Sequence, residues 1–253
     1  MIPYIEFTQF PIGPIPIQVW GLMVALGFLI GGAVSARMAE KRGLEKKIVW
    51  DTLGWIIIGA MVLARLFHVF FYESSFYLEN PARVFALWEG GVSIMGGFLG
   101  AVIAAVWYLK SRHVDVWKYS DAMIFGLPLG LCIGRIGCFL IHDHPGTATD
   151  FFLGVKYPDG IVRHDHGLYL SLNGLLLFFV FLLLLKRKAA PGTYIIVFLV
   201  WYGIARFFLD FLRATDGAIV DTRYFSLTPA QYLSIVMIAL GVWIWKYRRR
   251  FFS

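Results

Sequence analysis

Apolar runs of about twenty residues recur along this chain, and they constrain its fold more than any other feature. A run of that length can span the hydrocarbon core of a bilayer as one helix. Only 15% of the 253 residues are charged, whereas soluble domains have roughly 25%. The sequence therefore predicts an all-α, polytopic membrane protein with one domain over residues 1–253. We place seven spans at about residues 17–36, 48–71, 92–109, 119–141, 167–185, 192–212 and 229–245.

The basic residues predict how the chain is oriented. Of the 23 Lys and Arg residues, 15 fall in the segments that follow the first, third, fifth and seventh spans. The positive-inside rule makes these segments cytoplasmic, so the N-terminus lies outside and the C-terminus inside. Topology and anionic headgroups account for the net charge of +7. We therefore expect membrane lipid, and no nucleic acid, as a partner.

Residues 87–100 form a glycine-rich turn beside the third span. Five of these residues are glycine, and glycine destabilises a helix interior by roughly 1 kcal/mol relative to alanine. Such a cluster indicates that the backbone closely approaches either another backbone segment or a ligand. On the second alternative, we assign Gly96 and Gly97 to substrate binding.

The sixth span contains a row of polar residues. Tyr202, Arg206, Asp210 and Arg213 are spaced by four, four and three residues, which places them on one face of a helix. Charges inside a membrane are unfavourable and are usually paired or functional. The row could be a self-contained ion-pair ladder, but one carboxylate cannot neutralise two guanidiniums. A lipid phosphate would suit the remaining arginine, because guanidinium binds phosphate bidentately.

Two further arginines lie in the predicted outer halves of spans. Arg135, in the fourth span, stands beside glycines at helix-packing spacing, where neighbouring helices come close: Gly126, Gly130, Gly134 and Gly137. Arg65, in the second span, is fourteen residues from Asp51, roughly 21 Å along a helix, so the two do not form a pair. Each arginine needs a partner on another helix or an anionic ligand, and we assign Arg65 to substrate binding.

Four of the six histidines fall in one predicted external loop, residues 142–166, as two His-Asp-His segments: His142-Asp143-His144 and His164-Asp165-His166. In an extended strand, His-x-His points both imidazoles the same way, which would suit a metal. The same residues could supply a general base that titrates near neutral pH, or simply a polar hydrogen-bonded loop. We assign the first segment to catalysis and His164 and His166 to substrate binding, with no metal and no cofactor.

Several motifs, in order and over nearly the whole chain, resemble those of the prolipoprotein diacylglyceryl transferases. The matching stretches are residues 18–23, 64–72, 134–137, 202–213 and 226–234. The resemblance implies a seven-span bacterial inner-membrane enzyme with its active site facing the outer leaflet. Such an enzyme moves a diacylglyceryl group from phosphatidylglycerol to the lipobox cysteine thiol of a preprolipoprotein and releases glycerol phosphate. The implied partners are that lipid and preprolipoprotein signal peptides.

The resemblance also assigns roles to individual residues. Arg135 and Arg206 would hold the phosphate and stabilise the charge that develops on the leaving group. Tyr202 would position the lipid, and Arg213 would lie near the headgroup or the exit. Trp20 stands where the family has a functional tyrosine. In the sixth-span motif, aspartate at position 210 replaces the family's usual glutamate.

The departures from the family pattern concern the reacting centre. Met95 occupies the position of a histidine proposed to be catalytic, and methionine cannot accept a proton. Cys138 replaces an asparagine, while Asp143 can stand for the family's acid. We expect the same lipid donor and a thiol acceptor, with a loop histidine replacing the missing base. The alternatives are the same donor with a different acceptor, or a catalytically silent paralogue that binds lipid or lipoprotein precursors.

Overall fold

The protein is described by a computed structural model that covers residues 1–13, 15–86, 90–187, 189–214 and 223–251. Its helices are α1 (Val19–Lys41), α2 (Lys46–Phe71), α3 (Ser74–Glu79), α4 (Ile94–Ser111), α5 (Val116–Ile124), α6 (Leu127–Ile141), α7 (His166–Lys186), α8 (Thr193–Leu209) and α9 (Pro229–Phe251). Its strands are β1 (Ile2–Pro3), β2 (Gln9–Ile12), β3 (Ile15–Gln18), β4 (Pro145–Ala148), β5 (Val155–Lys156) and β6 (Val162–Asp165).

The helices confirm a polytopic membrane protein. Within the described residues, six are long and apolar enough to cross a bilayer, and α5 with α6 would make a seventh if the bent pair counts as one span. This fourth span was predicted as one helix over residues 119–141, but its two halves meet at 45°. Pro128 lies in the first turn of α6. It has no N–H to donate to the carbonyl of Ile124, the last residue of α5, and its ring crowds that carbonyl, so the helix breaks between the two.

Residues 39–119 form one compact unit, in which α2 packs along α4. Glycines make this packing possible, because a Cβ at Gly96 would overlap the carbonyl of Leu63, and one at Gly100 would overlap that of Gly59. The assignment of Gly96 to a ligand was therefore wrong: its missing side chain serves close packing of two backbones. Gly97 is less constrained, since its Cβ would only touch Ala64 at 3.5 Å.

Residues 1–38 and 120–253 form the other compact unit. In it, α1 and α6 approach through glycines, and the carbonyl of Gly126 would lie 3.0 Å from a Cβ added at Gly31. The hydroxyl of Ser35 donates a hydrogen bond to the carbonyl of Met123 at 2.7 Å. The predicted small-residue face of α6 is thus a helix-packing face. It fixes the helix that carries Arg135.

A small sheet occupies the predicted external loop, residues 142–166, which sequence patterns did not resolve into strands. Its order is β1-β5-β6-β4, with β1 parallel to β5 and the other pairs antiparallel. The last residue of β6, Asp165, caps α7 by accepting a hydrogen bond from the backbone N–H of Leu168 at 3.0 Å. The sheet therefore passes directly into a membrane helix, which ties the loop to the helices.

Candidate active site

Asp210 is the centre of a buried ion-pair group at the end of α8. Its Oδ1 lies 3.0 Å from Nη2 of Arg206 and 4.0 Å from Nη1 of Arg213. The hydroxyl of Thr228 donates a hydrogen bond to Oδ2. The ion-pair ladder that the sequence left open as an alternative is present, but not on one helical face. At Asp210 the helix tightens into a 3-10 turn, and Arg213 reaches the carboxylate from extended backbone.

His166 holds the guanidinium of Arg206 in place. Its Nε2 donates a hydrogen bond to the carbonyl of Leu209 at 2.8 Å, while its Nδ1 faces Nη1 of Arg206 at 3.2 Å. Since the guanidinium can only donate, Nδ1 must accept and the ring is neutral. Both nitrogens of this buried ring are therefore used by the protein. The structure makes His166 a positioning residue rather than the direct substrate contact that the sequence suggested.

Arg135 lies beside a cysteine of its own helix. It belongs to the same unit as Arg206, the other arginine predicted to bind phosphate, and their like charges repel each other. Nη1 of Arg135 approaches the sulfur of Cys138, one helical turn further along α6, at 3.7 Å. The side chain of Trp20 also approaches this sulfur. One of these two cations thus lies beside a thiol.

The first His-Asp-His segment folds back toward Cys138. The sulfur of Cys138, a carboxylate oxygen of Asp143 and a ring nitrogen of His144 all lie within 4.8 Å of one another. Oδ1 of Asp143 and Nδ1 of His144 are 2.5 Å apart, yet their geometry is not that of a hydrogen bond, and neither atom has another partner among the described residues. The segment therefore lies beside the cysteine that Arg135 contacts.

His142 belongs to a packed polar cluster instead. Its side chain is buried, its Nδ1 lies 2.7 Å from Oδ2 of Asp165, and its ring stacks on Tyr4 at 4.3 Å. Tyr157 donates a hydrogen bond to the same carboxylate at 3.0 Å, and burial together with the Asp165 charge raises the pKa of this tyrosine. Asp165 thus orients this buried imidazole through one ring nitrogen, and the role of His142 as a base stays a prediction.

The remaining side chains predicted to contact the substrate are still partly exposed. His164 shares a hydrogen bond with the hydroxyl of Tyr169 at 2.7 Å, and burial lowers the pKa of this histidine. Tyr202 stacks on Phe198 with ring centroids 5.3 Å apart, and Trp20 remains 48% exposed. For these side chains a substrate contact stays a prediction.

Arg65 has no free donor for a ligand. Its side chain is buried in the unit formed by residues 39–119, and its five N–H groups all donate to backbone carbonyls: those of Arg83, Val84, Ala86, Gly90 and Gly91. A guanidinium has five N–H donors in total. The predicted substrate-binding role is thus overturned, and Arg65 anchors the segment before α4. That segment also contains residues 87–89, which lie outside the described part.

Three residues that hold the site's side chains in place were not identified from the sequence. Thr228 binds Asp210 at the entry to α9, and its signal is a polar residue directly before a helix-starting proline. Tyr4 and Tyr157 surround His142, but they are distant from it along the chain. Nothing in a local pattern indicates such contacts, because they depend on β1 joining β5.

The long apolar helices and the buried Arg–His–Asp group define a multi-pass helical membrane protein with a cationic internal site. The family model for prolipoprotein diacylglyceryl transferase matches residues 8–247. The chain belongs to this family of membrane transferases, and the resemblance seen in its motifs is confirmed.

Curated relatives agree along their whole length. The chain is 32% identical to the phosphatidylglycerol–prolipoprotein diacylglyceryl transferase of Bacillus velezensis, covering 95% of this chain and 91% of that protein. It is 33% identical to the enzyme of the same name from Nitrosospira multiformis, and the match covers 97% of this chain and 88% of that protein. It is also 33% identical to the enzyme of that name from Nitratidesulfovibrio vulgaris, and the match covers 96% of this chain and 94% of that protein. The similarity therefore includes the membrane helices and the loop between them.

Proposed function

We propose that this protein transfers the diacylglyceryl group of phosphatidylglycerol to the lipobox cysteine thiol of a preprolipoprotein. The observation that carries the proposal is that Arg135 and Arg206, two like charges that repel each other within one unit, occur in a chain that belongs to this family. The basic segments support a bacterial cytoplasmic membrane location with the site facing the outer leaflet. The names of the relatives support both substrates.

The donor's phosphate is the group that the two arginines suit. Guanidinium matches phosphate oxygens with two parallel hydrogen bonds and stays charged inside a membrane. When the glyceryl carbon–oxygen bond breaks, glycerol phosphate leaves with an additional negative charge, and fixed cations stabilise it without reorganisation. Arg206 is fixed by His166 and Asp210, whereas the contact of Arg135 is a long one to the sulfur of Cys138 at 3.7 Å.

The acceptor's thiol must lose its proton near the same place. A free thiol has a pKa of about 8.5, so modest help is sufficient to form the thiolate nucleophile. We assign this step to the group of Cys138, Asp143 and His144, since it lies beside Arg135. His144 suits this role better than His142 because its side chain is 31% exposed, against 2% for His142.

A second candidate follows from the altered reacting centre. Met95 is 44% exposed at the start of α4, and it offers no group that accepts a proton. With the lipid-binding arginines kept and this histidine replaced, the chain would also suit a paralogue that binds the same lipid but uses another acceptor, or none. Met95→His separates the two, since it would create activity only in a silent protein.

Incubation of purified protein with labelled phosphatidylglycerol and a lipobox peptide tests the proposal. Arg135→Gln and Arg206→Gln should each abolish lipidation of the peptide, while Arg112→Gln, in an exposed predicted cytoplasmic turn, should not. Lysine at either site should rescue only partly, because a point charge lacks the bidentate geometry. Native-like lipid affinity in the double Gln variant would rule out the phosphate role.

A further inference from the structure

Three metal-binding side chains converge at the end of α6. Cys138, Asp143 and His144 each offer one ligand atom, and these atoms lie within 4.8 Å of one another. In a tetrahedral zinc site, ligand atoms at bond lengths of about 2.0–2.3 Å are separated by about 3.3–3.8 Å. Side-chain rotations of roughly one ångström would therefore reach this spacing, with the widest pair moving inward and Asp143 Oδ1 and His144 Nδ1, now 2.5 Å apart, moving outward.

The backbone brings these residues together. Cys138 lies in the last turn of α6, and His142 caps the helix with a left-handed conformation at φ 49°. This conformation is unusual for a residue with a side chain, and it turns the next two residues back toward the helix end. From Pro145 onward the chain is held in β4, which pairs with β6. The ligands are thus fixed from both sides.

The polar atoms of the group lack partners. Asp143 Oδ1 and His144 Nδ1 are buried and make no hydrogen bond within the described chain, although they lie 2.5 Å apart. A cation coordinated by both side chains would give these two buried atoms a partner. Nη1 of Arg135 lies 3.7 Å from the sulfur of Cys138, which places the group beside an arginine assigned to the phosphate.

We propose that Cys138, Asp143 and His144 hold a zinc ion whose fourth position binds the acceptor's thiol. Thiolate, imidazole and carboxylate together suit zinc, whereas magnesium and calcium prefer ligand sets made of oxygen alone. Three protein ligands and one open position are the pattern of catalytic zinc, since structural sites have four. The ion itself departs from the sequence assignment, which named no metal, and the identity of the acceptor rests on the function proposed above.

The site would supply the acceptor's nucleophile. On binding at the open position, the S–H bond of the acceptor breaks and its proton leaves to solvent. The sulfur then forms a bond to the glyceryl carbon of the lipid. The carbon–oxygen bond to the phosphate breaks, and its electron pair leaves with glycerol phosphate toward Arg135 and Arg206. Nothing is oxidised or reduced, and a metal-bound thiol ionises readily at neutral pH, which accounts for the loss of the family histidine at Met95.

Metal titration of the purified, chelator-treated protein tests the site without lipid or peptide. The wild-type protein should bind about one zinc ion, and cobalt should give a sulfur-to-metal charge-transfer band. Cys138→Asn, which installs the residue usual in the family, should lower zinc affinity more than about 100-fold. Asp143→Asn and His144→Gln should do the same. The matched controls Cys132→Ser, Asp150→Asn and His113→Gln lie outside the group and should bind zinc like the wild type.

The outcomes distinguish a failure of the proposed zinc site from a failure of the proposed transferase activity. Equal zinc affinity in wild-type protein and Cys138→Asn, in samples with the same thermal unfolding midpoint, would overturn the site. Lipid transfer that persists after complete chelation would also overturn it and leave the proposed function standing. Stoichiometric zinc that is lost in all three variants, in a protein that transfers no lipid, would support the site and count against the transferase.

Discussion

Replacing Asp210 with asparagine tests whether the buried carboxylate organises the cationic site. Asparagine keeps the size of the side chain and can still accept a hydrogen bond from Thr228, but it removes the charge. In the wild-type protein this carboxylate is fully buried, and two guanidiniums approach the same oxygen at 3.0 and 4.0 Å. Without it, Arg206 and Arg213 repel each other in a region that excludes water.

The size of the effect follows from these distances. With an effective dielectric constant of about 20, Coulomb's law gives about 5.5 kcal/mol of attraction at 3.0 Å and about 4 kcal/mol at 4.0 Å. Dehydration of the three ions offsets much of this attraction, and the measured effect of removing one partner from a buried pair is about 3–5 kcal/mol. We expect Asp210→Asn to lower the free energy of unfolding by that amount.

Denaturant unfolding in detergent micelles measures this change. Asp210→Glu should retain most of the stability, since the charge is kept and glutamate is the residue usual in the family. Asp150→Asn, at an exposed position of the same charge, serves as the control and should change stability by less than about 0.5 kcal/mol. A loss below about 1 kcal/mol in Asp210→Asn would refute the reasoning, because Arg206 and Arg213 would then be neutralised by other groups.

Three further outcomes are expected. Arg65→Lys should lower thermal stability by about 3 kcal/mol or more, because an ammonium cannot satisfy the five carbonyls around the guanidinium; unchanged stability would contradict its anchoring role. A cysteine placed at Thr147 should react with an impermeant thiol reagent outside intact cells, and one at Ser111 should not; the reverse would overturn the orientation. Because burial lowers the pKa of His164, unfolding binds a proton there and stability should fall as the pH drops below about 6.5. His164→Gln should reduce this pH dependence, and an unchanged slope would contradict it.

The membrane helices could be predicted from the sequence because each one is encoded locally. Hydrophobic length and the spacing of small residues indicate where α1 and α6 run and which of their faces meet. The bend before α6 was missed, although Pro128 is its local cause, because hydropathy over a window averages across the break. The all-helical prediction holds for the spans, while the strands between Pro145 and Asp165 depend on pairing between distant segments.

The site was predictable only where its residues lie one or two helical turns apart. The ion pair between Arg206 and Asp210 follows from their spacing. The partners of the histidines do not, since His166 contacts Arg206 forty residues away and His142 contacts Asp165 across the sheet. Two identical His-Asp-His segments therefore have different roles, and the difference is set by tertiary contacts rather than by the motif.

Residues that match the family pattern concern binding of the lipid donor. Residues that differ from it concern the acceptor. Arg135 and Arg206 match, and Arg206 is held by two further side chains, so the donor's phosphate still meets an ordered cationic site. Met95 and Cys138 differ, and both concern removal of the acceptor's proton. Selection for lipid binding alone would preserve the arginines without bringing a thiol, a carboxylate and an imidazole together beside one of them. The position of that group favours a working enzyme with an altered route to its nucleophile over a silent one.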